Sequence, residues 1–193
     1  KEEVAQQFPG LQGFEKLLYA SGGAHVEGAL LTETLLKASG ARVIKEEVAL
    51  SVSDHGYQIA GESYDQVILA TGAWLGQILE PLGYQVDVRP QKGQLRDYQL
   101  DRDTDDFPVV MPEGELDIIP FQQGKISMGA THENEMGFDL TVDQALLNQM
   151  EIEALAYYPE LAQAEVIGER VGTRAYTSDF SPFWGVVPDQ AGL

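Results

Sequence analysis

One turn in the chain has the composition of a site where another group approaches the main chain: residues 71–74, Thr-Gly-Ala-Trp. The apolar run Val67–Ala70 precedes it and predicts a buried strand, and the apolar segment that follows predicts a helix. A small-residue turn at such a junction admits a ligand or a second backbone segment. The alternative is a plain strand-to-helix turn in which Gly72 serves only its own dihedral angles.

Arg174 is the most informative charged residue. It lies between Gly172 and the turn-forming segment 177–182. Its planar guanidinium carries paired N–H donors that match a carboxylate. The alternative is a surface arginine paired with one of the many acids nearby. Arg89 is interpreted as structural.

Other side chains offer little for chemistry. We expect His25, His55 and His132 to be satisfied or solvated, and their spacing does not predict a metal site. Trp74 and Trp184 are most simply packing residues. No nucleophile or general base stands out.

Composition limits the function classes. The chain has 193 residues and a formal charge of −19, from 31 acidic and 12 basic residues. Such a surface repels phosphate backbones and anionic lipids, so nucleic-acid binding is disfavoured. There is no cysteine, signal peptide or apolar run of membrane-spanning length. We expect a cytoplasmic location, although a lack of cysteine also suits some exported bacterial proteins.

Periodic patterns predict a mixed architecture. A helix over 27–39 with Gly40 as its C-cap leads to a short strand at 41–44. Alternating residues from Val48 to Ile59 predict a hairpin with one solvated face, before the buried strand that ends at Thr71.

The second half predicts a second, antiparallel sheet, in the two stretches 84–100 and 107–131. A helix with a capping box at Thr141 follows and ends before Pro159. The tail from Arg170 onward, rich in Gly, Pro and aromatic residues, is predicted to be mostly loop.

Five stretches in this order resemble the D-amino-acid oxidase superfamily of FAD-dependent oxidoreductases, which includes glycine oxidase and sarcosine oxidase. Four of them are GAHVEGALLTETLLKASGARV, EEVALSV, YDQVILATGAW and VRPQKGQ. The fifth, RVGTRAYTSDFSPFWGVVP, matches the pattern G-x-R-x-x-T-x-D-x-x-P-x-x-G-x-x-P. The matching residues of this fifth stretch are Gly172, Arg174, Thr177, Asp179, Pro182, Gly185 and Pro188.

The resemblance implies an α+β fold: part of an FAD-binding α/β domain plus an antiparallel-sheet substrate domain with helices on one face. It implies that FAD lies against the turn and against the backbone of Val48, and that Arg174 binds the substrate carboxylate. The cofactor-binding residues so implied are Val48, Thr71, Gly72, Ala73 and Trp74.

Asp117 departs from the family pattern. It stands in the strand ELDIIP, where the family has an aromatic hydroxyl that helps to position the substrate carboxylate. A carboxylate in contact with Arg174 would compete with the substrate. We therefore expect a substrate with an extra amine, or one that lacks a simple α-carboxylate. The alternative is that Asp117 faces solvent on an edge strand.

Two family segments have no counterpart in this sequence: the N-terminal G-x-G-x-x-G cradle for the pyrophosphate and the C-terminal flavin segment. We therefore expect an internal fragment, inactive alone. The predicted parts are a connecting helical segment at 1–23, a partial FAD-binding domain at 24–82, the substrate sheet domain at 83–170 and a return segment at 171–193.

The activity implied by the resemblance is oxidation of an amine or amino acid by hydride transfer to flavin, usually with oxygen as the final acceptor. One alternative is a family member that has lost its chemistry and serves as an acidic interaction module. Another is a flavoenzyme that acts on a modified tRNA base, which the negative charge disfavours. The oligomeric state stays open.

Overall fold

The computed structural model of the chain describes residues 6–53 and 56–193. These residues form two compact units, one of residues 14–64 and one of residues 6–13 together with 65–193. Each unit is described by itself. The predicted domain boundaries at residues 24, 83 and 171 stay a prediction.

The smaller unit contains one helix and a three-stranded antiparallel sheet. Helix α1, Gly28–Ser39, begins after Glu27, whose side chain accepts a hydrogen bond from the Leu30 amide. It ends at Gly40, which is in the left-handed region at φ 64° and so confirms the predicted C-cap. The strands are β1, Leu50–Ser53, β2, Gly56–Ile59, and β3, Glu62–Tyr64. The pairing of β1 with β2 confirms the predicted hairpin.

The larger unit is built on a four-stranded antiparallel sheet. Its strands are β4, Arg89–Gln99, β5, Asp117–Pro120, β6, Lys125–Gly129, and β7, Glu165–Tyr176. They lie in the order β5-β6-β4-β7, so β5 and β7 are the edges. The two antiparallel sheets with their helices confirm the predicted α+β class.

Helices lie around this sheet. A 3₁₀ turn, Gly72–Trp74, leads into the short helix α2, Leu75–Leu79, and another 3₁₀ turn, Glu80–Leu82. Helix α3, Gln144–Tyr157, packs on β4 and β6 and is followed by a 3₁₀ turn, Pro159–Gln163. The fully buried apolar side chains of this unit include Phe8, Tyr98, Ile118, Ile126, Met128, Leu147, Ala154 and Tyr158.

The face of β4 that meets α3 is polar although it is buried. Lys92, Gln94 and Arg96 alternate along this face and are at most 5% exposed. The Lys92 ammonium lies 3.5 Å from a Glu133 carboxylate oxygen, and Arg96 binds four side chains, as described below. Buried charges require such partners. Strand β4 therefore presents its other face to the candidate site described below. This face carries Gln91, Gly93, Leu95 and Asp97.

Two local predictions were wrong, and a third was right only in part. The segment 66–71 forms no strand, and Ile68 is 91% exposed, because no other described segment pairs with it as a strand. Helix α3 is capped by Asp143 rather than Thr141, since the Asp143 carboxylate accepts from the Leu146 amide. The tail is mostly loop as predicted, from residue 177 onward, but residues 170–176 belong to β7, which pairs with β4 along its whole length.

The predicted strand at 41–44 is also absent. Val43 and Ile44 are 65% and 50% exposed and have no regular secondary structure. Apolar content alone does not make a strand when no hydrogen-bonding neighbour is present.

Candidate functional site

A cavity of about 530 Å³ lies in the larger unit, between the 3₁₀ turn at 72–74 and the end of β7. Two sequence segments that are about 100 residues apart therefore meet at one place. The lining of the cavity includes Thr71, Gly72, Gln91, His132, Arg174 and Phe180. Three of the predicted site residues, Thr71, Gly72 and Arg174, are thus brought together.

Arg174 is held in place by neutral acceptors. Its Nη1 donates to the Thr131 carbonyl at 2.8 Å and to the Gln91 side-chain oxygen at 3.4 Å. The guanidinium also lies against the backbone of Gly93. Gln91 is the register partner of Arg174 on β4, so the pairing of β4 with β7 positions the arginine.

The charge of Arg174 has no counter-ion in contact. Among the described residues, no carboxylate oxygen lies within 4.0 Å of its guanidinium. Burial lowers the pKa of Arg174, while the more distant Glu115 and Asp117 act in the opposite direction. A desolvated arginine whose contacts are all neutral favours the binding of an anion.

Asp117 is half-buried on the edge strand β5. Burial raises its pKa, and electrostatic interactions with His132 and Arg174 only partly oppose this shift. Asp117 and Arg174 form no ion pair at contact distance. A role for Asp117 in substrate binding stays a prediction.

The turn at 71–74 combines an open backbone with an unpaired hydroxyl. The Thr71 Oγ1 atom is buried and has no hydrogen-bond partner among the described residues. Gly72 has φ 53°, and an added Cβ would meet no atom within 4 Å. The left-handed dihedral alone accounts for glycine here. The buried hydroxyl beside the cavity has no such local explanation, and it fits a polar ligand atom.

The other predicted cofactor residues differ in their surroundings. Ala73 is buried, whereas Trp74 is 47% exposed and stacks on Phe138 with ring centroids 4.7 Å apart. This contact agrees with the interpretation of Trp74 as a packing residue. Val48 lies in the smaller unit, before β1, and is 48% exposed. Cofactor contacts of these residues stay a prediction.

His132 is the histidine at the candidate site. It lines the cavity, and its Nδ1 is 3.4 Å from a Glu115 carboxylate oxygen. His55 lies outside the described residues. Within the described residues, no three His, Asp or Glu side chains converge as a metal site requires.

The sequence reading missed the residues that support Arg174. Gln91 and Gly93 belong to the stretch VRPQKGQ, which was interpreted only as a family motif. Their spacing of two places them on one face of a strand, and this alternation could have identified them. Their partner strand could not be identified, because residues 170–176 were read as loop.

Comparison with known proteins places the whole chain in one group. The family model described as FAD dependent oxidoreductase matches residues 1–193. An uncharacterized oxidoreductase, YurR of Bacillus subtilis (strain 168), is 38% identical over 201 residues, which cover 99% of this chain and 54% of that protein. A glycine oxidase of Pseudomonas aeruginosa is 32% identical over 206 residues, covering 100% of this chain and 55% of that protein.

A solved structure shows the same fold. The crystal structure of iminodiacetate oxidase (IdaA) from Chelativorans sp. BNC1 matches with a TM-score of 0.92 and 34% identity, over 98% of this chain and 54% of that chain. The chain therefore spans about half the length of these relatives. In the part of the chain that the structure describes, each helix is too short or too polar to cross a bilayer.

Proposed function

Because this chain belongs to the FAD-dependent oxidoreductase family, we propose that its protein oxidises an amine that bears a carboxylate, with flavin as the hydride acceptor. Arg174 binds the carboxylate of the substrate. Asp117, whose charge acts on Arg174 without contact, favours the cationic amine at the same site. An amino acid carries both groups, so it is the simplest substrate of this class.

A single observation carries the proposal: the guanidinium of Arg174 lines the cavity, and its partners among the described residues are neutral. The chain as a whole carries a charge of −19, so acidic side chains are abundant. A cavity arginine that pairs with none of the acids in the described part of the chain is suited to an incoming carboxylate. The proposed partner of Arg174 is therefore the substrate rather than the protein.

Thr71 and Gly72 are the residues of this chain that would hold the flavin. The buried Thr71 hydroxyl fits a polar atom of the cofactor, and the open backbone at Gly72 leaves room for a flat group. Flavin supplies the hydride-accepting chemistry when bound. The residues of this chain bind and orient the substrate.

The names of two matched proteins support a narrower class of amine. One relative is a glycine oxidase and one structural neighbour is an iminodiacetate oxidase, and both names describe amines with a carboxymethyl group. We infer that the substrate is glycine or an N-substituted glycine. This proposal replaces the substrate class expected from Asp117, because Asp117 does not contact Arg174 and leaves the guanidinium available to a simple α-carboxylate. No contact in the site favours an inactive interaction module or a tRNA base as substrate.

The test is steady-state oxidation by the full-length flavoprotein and by its R174K and R174Q variants. Sarcosine is the carboxylate-bearing substrate and dimethylamine is the amine without a carboxylate. Loss of the paired donors should raise the KM for sarcosine at least about tenfold in both variants, because hydrogen bonds to charged groups contribute about 1.5–3 kcal/mol. The flavin absorbance should be unchanged. Equal KM values in the wild type and R174Q would refute the role of Arg174.

A further inference from the structure

His132 lies beside the arginine of the candidate site, in one row of residues across the sheet. Lys92 and Glu133 pair as an isolated antiparallel bridge, so the next residues, Gly93 and His132, lie at one level. The Arg174 guanidinium lies against Gly93. Because neighbouring strands are only about 4.8 Å apart, the imidazole and the guanidinium occupy adjacent positions in this row.

The His132 side chain projects into the cavity because the side chains on either side of it project away. Thr131 Oγ1 donates to a Glu133 carboxylate oxygen at 2.7 Å, and the Lys92 ammonium lies 3.5 Å from the same carboxylate on the buried face. Side chains alternate along an extended segment, so His132 projects from the opposite face. It lines the cavity and its side chain is 40% exposed, so a ligand can reach the imidazole.

The two ring nitrogens of His132 have different surroundings. Nδ1 lies 3.4 Å from a Glu115 carboxylate oxygen, whereas Nε2 makes no hydrogen bond to a described residue. A carboxylate beside Nδ1 favours a proton on that nitrogen and stabilises the imidazolium ion. Nε2 is therefore left as a hydrogen-bond acceptor, available to a donor in the cavity.

The charges around His132 suit a side chain that becomes a cation. Glu115 and Asp117 both act electrostatically on Arg174, and Asp117 also interacts with His132. These two carboxylates favour an imidazolium ion, whereas the guanidinium opposes it. A substrate carboxylate bound to Arg174 would neutralise the guanidinium and so remove this opposition. Substrate binding therefore prepares His132 to accept a proton.

Oxidation of an amine requires such an acceptor. An alkyl amine is an ammonium ion at neutral pH, and its nitrogen then has no lone pair to stabilise the positive charge that develops as hydride leaves the neighbouring carbon. One proton must therefore be removed first. In a glycine derivative the nitrogen lies about 2.5 Å from the carboxylate carbon. A carboxylate held by Arg174 thus brings the ammonium group to the row that contains His132.

We propose that His132 is the general base that removes a proton from the ammonium group of the substrate, and that Glu115 is a positioning residue for its imidazole. The proposal rests on the proposed function and adds a catalytic residue to it. The N–H bond of the ammonium group breaks, the proton bonds to His132 Nε2, and the electron pair stays on the amine nitrogen. The imidazolium ion later releases the proton to solvent, which reaches this partly exposed side chain.

The experiment compares two substrates that differ in their need for a base. N-ethylglycine is an ammonium ion at about pH 8, as a lysine side chain is. In N-(2,2,2-trifluoroethyl)glycine the fluorine atoms withdraw electrons, so the amine is largely neutral at the same pH. The second-order rate constant of anaerobic flavin reduction is measured with each compound, for the full-length flavoprotein and its H132Q variant. This measurement detects slow as well as fast oxidation.

H132Q should affect only the substrate that needs the base. Its rate constant should fall at least about 100-fold for N-ethylglycine and less than about threefold for the fluorinated compound, since general-base catalysis contributes about 10²–10⁴-fold. Equal losses for the two compounds, or no loss for either, would overturn the role of His132 and leave the proposed function intact. Flavin reduction by neither compound in the wild type would refute the proposed function as well.

A matched pair of variants tests Glu115. E115Q should lower the rate constant for N-ethylglycine about tenfold and leave that for the fluorinated compound within about twofold, because only the first reaction forms the imidazolium ion. E113Q removes an exposed carboxylate two residues earlier and should change neither rate constant. Identical rate constants in E115Q and E113Q would refute the positioning role of Glu115.

A binding measurement separates proton transfer from carboxylate binding. Methoxyacetate has an ether oxygen in place of the amine, so it keeps the carboxylate and has no proton to give. Its Kd, measured through the flavin absorbance, should be within about twofold of the wild-type value in H132Q and at least about tenfold higher in R174Q. A tenfold weaker binding in H132Q would show that His132 holds the carboxylate, and would overturn its assignment as the base.

Discussion

The guanidinium of Arg174 lies against the backbone of Gly93, at a distance that excludes any side chain at position 93. An added Cβ would be 2.6 Å from Nη1 and 2.7 Å from Cζ of Arg174. Gly93 is therefore required for the position of the arginine rather than for an unusual dihedral angle, since its φ lies outside the left-handed region.

The first prediction follows from this contact. G93A should displace the guanidinium and raise the KM for a carboxylate-bearing amine at least about tenfold. The cost in free energy of unfolding should be small, about 1 kcal/mol, because the displaced atoms end a flexible side chain. Steady-state kinetics and urea unfolding of the full-length protein measure the two effects. G168A, where a Cβ meets no atom, is the control. A G93A enzyme with the KM of the wild type would contradict the assignment.

The second prediction concerns the buried polar layer under β4. Arg96 donates to Glu169, Glu151, Gln144 and Asn148, and is 4% exposed. R96M should lower the free energy of unfolding by about 3 kcal/mol, because it leaves two partly buried carboxylates without their cation.

The control for R96M is an exposed pair of the same chemistry. Arg102 and Glu160 form an ion pair whose side chains are 34% and 42% exposed. R102M should cost less than about 1 kcal/mol. Urea unfolding at neutral pH compares the two variants, and equal losses would mean that the buried layer adds nothing beyond a surface pair.

The third prediction is a pH dependence at Asp97. Burial alone would raise the pKa of Asp97, but hydrogen bonds from Arg170 and Ser127 and the charge of Lys125 lower it overall. A lowered native pKa stabilises the fold above the unfolded pKa, near 3.9, and this stabilisation is lost as the pH falls through the native value. D97N should therefore be less stable than the wild type at pH 7, by a margin that shrinks below about pH 4.

Thermal unfolding of wild type and D97N between pH 7 and pH 3 measures this margin. D101N, at an exposed position on the loop after β4, should stay within about 0.5 kcal/mol of the wild type. A stability difference between D97N and the wild type that grows as the pH falls would contradict the lowered pKa of Asp97.

The fourth prediction concerns Asp117, whose pKa shift has the opposite direction to that of Asp97. Burial raises the pKa of Asp117, and the charges of His132 and Arg174 do not fully compensate. Ionised Asp117 therefore destabilises the fold at pH 7, and this cost disappears below the unfolded pKa, where the carboxyl is protonated in both states. D117N should raise the melting temperature at pH 7 and leave it nearly unchanged near pH 3. A lower melting temperature of D117N at pH 7 would show that the carboxylate has a stabilising partner.

Local sequence patterns predicted those parts of the fold that depend on interactions between residues close in sequence. The end of α1 at Gly40 follows from a left-handed C-cap, and the hairpin of β1 and β2 follows from alternation around a turn. The strand predicted at 66–71 failed because a strand also needs a hydrogen-bonding neighbour. Periodicity within one segment contains no information about that neighbour.

The site was predicted only in part for the same reason. Arg174 was identified through a motif, but its supports Gln91 and Gly93 lie about 80 residues earlier and meet it only through the register of β4 and β7. The orphaned hydroxyl of Thr71 is likewise a property of packing. The residue types of the turn predicted its location. Only the three-dimensional structure shows that the Thr71 Oγ1 atom lacks a hydrogen-bond partner among the described residues.

The last prediction uses that hydroxyl to test cofactor binding at the turn. A buried hydroxyl without a partner costs about 1–3 kcal/mol, and valine replaces it with a methyl group of the same shape. T71V should therefore raise the free energy of unfolding of the full-length apoprotein by about 1 kcal/mol. If the hydroxyl binds the flavin, the same change should weaken flavin binding about tenfold, measured by titration of the apoprotein with FAD. T71S keeps the hydroxyl and should bind FAD as the wild type does. A T71V protein that is more stable but binds FAD with unchanged affinity would show that Thr71 does not contact the cofactor.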